Sequence, residues 1–319
     1  MQALLAILAD GRFHSGELLG SALGLSRSAV WKRLQALQAE TGLVVDKVRG
    51  KGYRLQRPLS LLDEEFITAA LPELDVCVHQ TVTSTNSLAQ EYAAANTARK
   101  PVLVLAEKQT QGRGRRGRSW VSPYAGNIYA SLVYPLASGL QQAKGVSLVM
   151  ALAVLRTLQS RGLAALSLKW PNDVLCGNKK ISGILLELLG DPSDACQLII
   201  GLGINVNMRE EQQAIEQPWT SLAAELGVML DRSALVVDLA KHLIAHLKRL
   251  EGEGFSQLRD EWMGFSAWQG QDVQLSSGDT VIAGRLSGVD EDGSLLLEID
   301  GHQQRFSGGE LSLRLAHDS

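Results

Sequence analysis

Gly112-Arg113-Gly114-Arg115-Arg116-Gly117-Arg118-Ser119-Trp120 decides the reading of this chain, with three glycines and four arginines in its first seven positions. Glycine lets the backbone take positive φ and come close to a ligand. Arginine stays cationic and offers planar forks of donors that fit carboxylate and phosphate. Four like charges in one loop repel unless an anion neutralises them, so the stretch reads as a wrap for a small anion rather than a solvated loop. It also fits G-x-G-x-x-G. That dinucleotide fingerprint needs a strand before, a helix after and an acidic residue about 20 positions on. Residues 101–106 could supply the strand, but Pro123 and the turn-like Tyr124-Ala125-Gly126-Asn127 break any following helix. Between Lys108 and Gly190 the acidic residues are Asp173 and Glu187 alone. The dinucleotide reading is set aside.

Outward from the loop, residues 75–82 alternate as a strand, and Ser84-Thr85-Asn86 precede a helix over 87–95. Hydroxyl and amide groups at a helix start are either ordinary caps or a seat for a polar or anionic group. Residues 127–134 read as a strand, 146–158 as a long buried helix, and 165–170 as a strand ending in the turn Pro171-Asn172-Asp173. A second turn, Asn178-Lys179-Lys180, leads into the apolar strand 181–189. Lys180 thus stands where a strand enters the core, a place where a lysine usually snorkels. Gly201 and Gly203 inside strand 198–207 imply close approach by another backbone or a ligand. Trp219, before a helix capped by Thr220 or Ser221, either stacks on a nucleobase or fills the core. Helices follow at 235–250 and 255–265. Strands and helices without clean β-α-β alternation predict an α+β sheet with helices on one face. Short strands at 273–275, 280–286, 295–299 and 304–306, joined by Gly-containing turns, predict a small SH3-like β-barrel.

The 319 residues suffice for two or three domains. The net charge of −3 conceals an asymmetry: residues 1–57 hold 9 Lys and Arg against 4 Asp and Glu. A basic head on an acidic body suggests nucleic-acid binding. In that head, Leu4, Leu5, Ile7 and Leu8 mark a first helix, Ser15 caps a second, and Ser26 caps a third over 27–39. This is the helix-turn-helix order. Arg27, Ser28, Trp31, Lys32 and Arg33 face solvent near the start of the third helix, where a recognition helix meets DNA. Arg49 and Lys51 lie at the tip of a hairpin that reads as a wing. The competing reading is a three-helix module with solvated charges or a protein-docking role. Pro58 and Leu59-Ser60-Leu61 read as a linker. Cys77, Cys176 and Cys196 are scattered without zinc spacing and read as buried reduced thiols. The longest largely apolar run, residues 146–155, is too short to span a membrane, and the start lacks a basic signal-peptide region. A cytoplasmic protein is expected.

Glu107-Lys108-Gln109-Thr110-Gln111 followed by the glycine–arginine loop resembles the signature of biotin–protein ligases. Two further blocks match in order and spacing: Lys169-Trp170-Pro171-Asn172-Asp173 with Lys180-Ile181-Ser182-Gly183-Ile184, and Gly201-Leu202-Gly203-Ile204-Asn205. The resemblance runs from about residue 80 to the C-terminus, and the head resembles the DNA-binding half of the bifunctional bacterial members that double as biotin operon repressor. It implies an α+β multidomain fold: a winged helix-turn-helix over 1–57, a central α/β ligase domain with a mixed sheet over 64–266, and an SH3-like β domain over 267–319. It implies ATP-dependent activation of biotin to biotinyl-5′-AMP with Mg²⁺, and transfer to a lysine of a biotin carboxyl carrier protein. It also implies biotinyl-AMP-dependent repression through operator DNA and a ligand-promoted homodimer, with no membrane partner. By the same resemblance Lys180 and Arg115 are catalytic. Ser84, Thr85, Asn86, Gln109, Arg113, Gly114, Arg115 and Lys180 contact biotin. Arg115, Arg116, Arg118, Trp120, Asn172, Lys180, Asn205 and Trp219 contact ATP or the adenylate. No Ser/His/Asp or Cys/His pattern suggests a covalent enzyme intermediate. The alternatives are a lipoate-type acyl ligase on the same fold and a non-catalytic winged-helix sensor; the arginine loop argues against the first, the loop with Lys180 against the second.

Overall fold

The computed structural model describes residues 1–95, 100–136, 144–191, 195–209, 215–307 and 311–316. The head forms helices α1 (Gln2–Leu8), α2 (Gly16–Leu23) and α3 (Arg27–Thr41), then a hairpin of β1 (Val45–Val48) and β2 (Gly52–Leu55). Its starts and stops follow local chemistry. Ser15 and Ser26 accept hydrogen bonds from the Leu18 and Ala29 amides, satisfying donors that a first turn leaves free. Gly24 and Gly42 end α2 and α3 in the left-handed conformation. Val30, Leu34 and Leu37 recur at helical spacing and pack on Leu4, Leu5, Leu8 and Leu19, in a core that also takes in Tyr124 and Ala125 from the central body.

The body begins with α4 (Glu64–Ala70) and is built on seven strands: β3 (Asp75–Val82), β4 (Val102–Gln109), β5 (Ile128–Leu136), β6 (Leu166–Lys169), β7 (Asp173–Cys176), β8 (Lys179–Leu189) and β9 (Cys196–Ile204). They lie in the order β3-β4-β5-β9-β8-β7-β6. Only β3 and β4 run parallel; the crossover between them is α5 (Thr85–Ala95). Strand alternation sends successive residues to opposite faces. Leu103 and Leu105 join the large core under α6 (Val146–Ser160) and α8 (Arg232–Glu253), whereas Val102, Val104, Val133 and Ile199 pack beneath Ala89 and Ala93 of α5. Helices therefore cover both faces, not one. The single-face expectation failed because α5 is the crossover of a parallel pair, and such crossovers pack on a sheet face. α7 (Leu222–Leu226) and α9 (Phe255–Met263) complete the body.

The tail is a five-stranded antiparallel sheet of β10 (Asp272–Ser277), β11 (Thr280–Val289), β12 (Leu295–Ile299), β13 (His302–Phe306) and β14 (Ser312–Leu315), ordered β13-β12-β11-β10-β14. Sequence reading missed β14, which has only four residues. Its pairing of Leu313 with Leu275 and Leu315 with Val273 returns the chain's end to the central cavity. Cys77 is half-buried rather than buried; Cys176 and Cys196 are buried, and none of the three is in a disulfide. Among the described residues no helix is long and apolar enough to cross a membrane.

The linker is held firmly. Arg232 and Glu107 form an ion pair with side chains 0% and 1% exposed. Arg232 Nε donates to the Ser60 carbonyl at 2.7 Å, Nη1 donates to the Asn127 carbonyl at 2.8 Å, and Glu107 Oε1 accepts from the Leu62 amide at 2.7 Å. Every strand of this clasp is a charge-assisted bond in a dry place. Removing one partner leaves the other charged and unpaired, which costs about 3–5 kcal/mol. Glu107→Ala should lower unfolding stability by about that amount and expose the chain around Ser60 to proteolysis. A denaturant titration showing a loss below about 1 kcal/mol would contradict this assignment.

Candidate active site

One cavity of ≈ 690 Å³ lies where the open end of the central sheet meets the tail, a size ordinary for a small-molecule site. Its floor is the α5 face of the sheet beyond the helix start. Gly203 and Gly183 pair across β9 and β8, as do Gly201 and Leu185, and Ser131 lies beside Gly201 on β5. The floor is low because it carries glycines. A Cβ at Gly203 would overlap the Trp120 indole, and one at Gly201 would overlap the Asn86 amide. Sequence reading assigned these close approaches to a backbone or a ligand; they are made by side chains of the chain itself.

The loop leaves β4 as a small hairpin. Arg113 bridges Ser119, the Gly114 amide donates to the Arg118 carbonyl at 2.7 Å, and the Trp120 amide donates to the Gly112 carbonyl at 2.8 Å. Its tip turns at Arg116 (φ 60°) and Gly117 (φ 69°), and Arg118 is extended again. No helix follows, consistent with setting the dinucleotide fold aside. Gly114 is extended, with φ −110°, so the loop's conformational demand falls on Gly117, and its demand for space on Gly112, where a Cβ would lie 2.5 Å from the Trp120 oxygen.

At one end of the cavity is a polar knot. The Thr85 amide and hydroxyl donate to Gln109 Oε1 at 2.9 and 3.2 Å, and Gln109 Nε2 donates to the Ser122 hydroxyl at 3.1 Å. Ser84, Thr85 and Asn86 are all buried, and α5 begins at Thr85, so its first turn is part of the knot. At the other end are the cations. Lys180 Nζ lies 2.7 Å from Asp173 Oδ1 and 5.5 Å from the centre of the Trp120 ring. Arg115 donates to Asn172 Oδ1 at 3.1 Å and to the Leu311 carbonyl at 3.4 Å, and Asn172 Nδ2 donates in turn to the Ile184 carbonyl at 2.7 Å. Burial pulls the Arg115 guanidinium below its usual value, opposed by the nearby charge of Asp173. Lys169 is lowered in the same way, with Asp173 opposing at 4.0 Å and the Trp268 ring centre 5.1 Å away.

Ser84, Thr85, Asn86, Gln109, Arg113, Gly114, Arg115, Arg116, Arg118, Trp120, Asn172 and Lys180 all line this cavity. Asn205 and Trp219 stand just behind it. Asn205 Nδ2 donates to the Thr220 carbonyl at 3.0 Å, and Trp219, 8% exposed, pairs through its backbone with Lys180. Arg27, Ser28, Trp31, Lys32, Arg33, Arg49 and Lys51 are all exposed on the head. Lys169, Asp173, Ser131, Glu187, Trp268 and Arg314 were not singled out from sequence. Asp173 and Glu187 carried one signal: they are the acidic residues of an otherwise cationic stretch.

A helix-turn-helix head, a mixed sheet with a cation-lined cavity at its open end and a β-sheet tail define a DNA-binding protein fused to a small-molecule ligase-type domain. Family models match those three parts: an HTH domain over residues 1–54, the biotin/lipoate A/B protein ligase family over 78–205, and a biotin protein ligase C-terminal domain over 270–314. The bifunctional ligase/repressor BirA of Salmonella typhimurium is 41% identical over 314 residues, 98% of this chain and 97% of that protein. BirA of Escherichia coli is 40% identical over the same lengths, and that of Bacillus subtilis 31% over 96% of this chain and 95% of that protein. A biotin protein ligase from Aquifex aeolicus, solved with biotin and ATP, superposes with a TM-score of 0.66 at 31% identity, over 76% of this chain and 99% of the other. The chain belongs to the family of bifunctional ligase/repressors.

The glycine floor makes a sharp prediction. Gly203→Ala should expel the Trp120 indole from its seat without unfolding the sheet, since the new methyl occupies the ring's position. Near-ultraviolet dichroism should change in the tryptophan bands while the far-ultraviolet spectrum stays native; unchanged tryptophan bands would refute the seat.

Proposed function

We propose that this protein activates biotin with ATP to biotinyl-5′-AMP and transfers biotin to a lysine of a carrier protein. We further propose that it acts as a biotinyl-AMP-dependent transcriptional repressor. The observation that carries the ligase reading is the pairing, in one cavity, of a neutral polar knot with a cluster of cations on a glycine loop. A carboxylate does not acylate an amine at neutral pH. Adenylation makes it a mixed anhydride: a biotin carboxylate oxygen attacks the α-phosphorus and pyrophosphate leaves. The lysine amine of the acceptor then attacks the carbonyl, an amide forms, and AMP leaves. Two anions must be held head to head while charge builds at phosphorus, so the site's work is positioning and neutralisation.

Ser84, Thr85, Asn86 and Gln109 are suited to the neutral ureido end of biotin. Arg115, Arg118 and Lys180 face the end where carboxylate and phosphate meet. In the free protein Asp173 neutralises Lys180, and the substrate anions take over that contact. Mg²⁺ accompanying ATP needs only one or two carboxylates besides the phosphates; Asp173 is the cavity carboxylate beside the cations. Among the described residues no cluster of three or more His, Cys, Asp or Glu forms a dedicated cage. Trp219 pairs with the Lys180 backbone, Asn205 holds the next carbonyl along, that of Thr220, and both are assigned to the adenine end.

Lys180→Met should fold, bind biotin within a few-fold of the native protein, and lose at least a hundredfold in the single-turnover rate of adenylate formation, because its charge matters most in the transition state. Equal losses in both would make Lys180 a binding residue only.

For the repressor half, the exposed cations of α3 and the wing support DNA docking. One module with few phosphate contacts binds weakly at physiological salt, so two heads on a dimer would be needed to grip an inverted repeat. Beyond Gly183, β8 has no β7 partner, leaving an edge through which two central sheets could join. Arg33→Ala should abolish DNA binding without changing ligation. Sedimentation should show association strengthened by the adenylate; a ligand-independent association constant would refute the switch.

A further inference from the structure

Asn86 is 3% exposed, and both ends of its amide are committed. Nδ2 donates to Glu187 Oε2 at 2.7 Å and lies 3.5 Å from the Leu185 carbonyl, while Oδ1 accepts from the Ser131 hydroxyl at 2.6 Å. An ionised carboxylate accepts and never donates. Glu187 therefore admits one orientation of this amide, with the nitrogen toward itself and the oxygen toward Ser131. The consequence runs onward. Ser131 has one proton and two oxygen neighbours, Asn86 Oδ1 at 2.6 Å and Thr85 Oγ1 at 2.8 Å. The Thr85 hydroxyl gives its own proton to Gln109 Oε1 at 3.2 Å, so neither neighbour donates to Ser131, whose proton serves both oxygens. A charge at the end of the row thus fixes which end of the Asn86 amide meets Ser131.

Glu187 has a second arm, to Arg113 of the glycine loop at 3.2 Å. That arm is the weaker one, because Arg113 is 43% exposed and solvent screens the pair. Glu187 itself does not line the cavity. It lies on β8 beyond Leu185, opposite Ile199 of β9, and among the described residues it reaches the site through Asn86 and Arg113.

We propose that Glu187 is a positioning residue for the neutral end of the biotin pocket: it fixes the Asn86 amide, with its oxygen held toward Ser131 beside Thr85. This rests on the biotin-ligase reading of the cavity. A free-turning Asn86 would present the wrong group to its buried neighbours for part of the time, and an unsatisfied buried polar group is costly.

The test compares Glu187→Ala and Glu187→Gln in the full chain, by calorimetric biotin affinity and by KM for ATP at saturating biotin. Glu187→Ala should weaken biotin binding about tenfold or more and leave the KM for ATP within about twofold. Glu187→Gln should recover biotin affinity to within about threefold of native, because its Oε1 still accepts from Asn86. The assignment is overturned if Glu187→Ala binds biotin within twofold of native, if glutamine is no better than alanine, or if biotin affinity and KM for ATP worsen together. Failure of the native protein to bind biotin would instead overturn the ligase reading.

Discussion

Crowding of positive charge around one small cavity is the constraint on which this structure depends. Arg113, Arg115, Arg116, Arg118, Lys169 and Lys180 all border it. Such a set repels itself unless anions or dipoles are threaded through it. In the free protein the chain supplies them: Asp173 for Lys180, Glu187 for Arg113, and the Asn172 amide oxygen and Leu311 carbonyl for Arg115. The Leu311 contact comes from the tail, so part of the cavity's neutralisation holds the third part of the chain against the second.

Much of this was legible in the sequence. Serine caps at Ser15 and Ser26, glycine stops at Gly24 and Gly42, and apolar residues at helical spacing fixed the head locally. The cavity residues were legible because they sit in contiguous blocks with unusual composition. What escaped were relations between distant positions. Ser131 looks like any small strand residue until β9 brings Gly201 beside it and α5 brings Asn86 over it. Glu187, mid-strand, gives no sign of reaching Asn86, 101 positions earlier. Gly201 and Gly203 signalled a close approach but not its maker. The second helical face was missed because alternation says that a strand has two apolar faces, not what covers them. β14 escaped because four residues carry little periodic signal.

The linker between head and body is also a fastening. Three consecutive residues of β4 show how the parts meet: Glu107 pairs with Arg232 under the linker, Lys108 donates to the Glu40 carbonyl of the head at 3.0 Å, and Gln109 holds Thr85 in the cavity. Gln109 also holds Ser122, two positions before Tyr124, which enters the head's core. The path from DNA-binding head to cavity is a few bonds long and runs through one strand.

The central claim is that this cavity joins a carboxylate to the α-phosphate of ATP. Exchange of labelled pyrophosphate into ATP tests it most directly, because the exchange requires the adenylate to form and reverse without any acceptor protein. The account predicts exchange that depends on biotin and is not supported by lipoate. Absence of exchange with biotin, or equal exchange with lipoate, would contradict it.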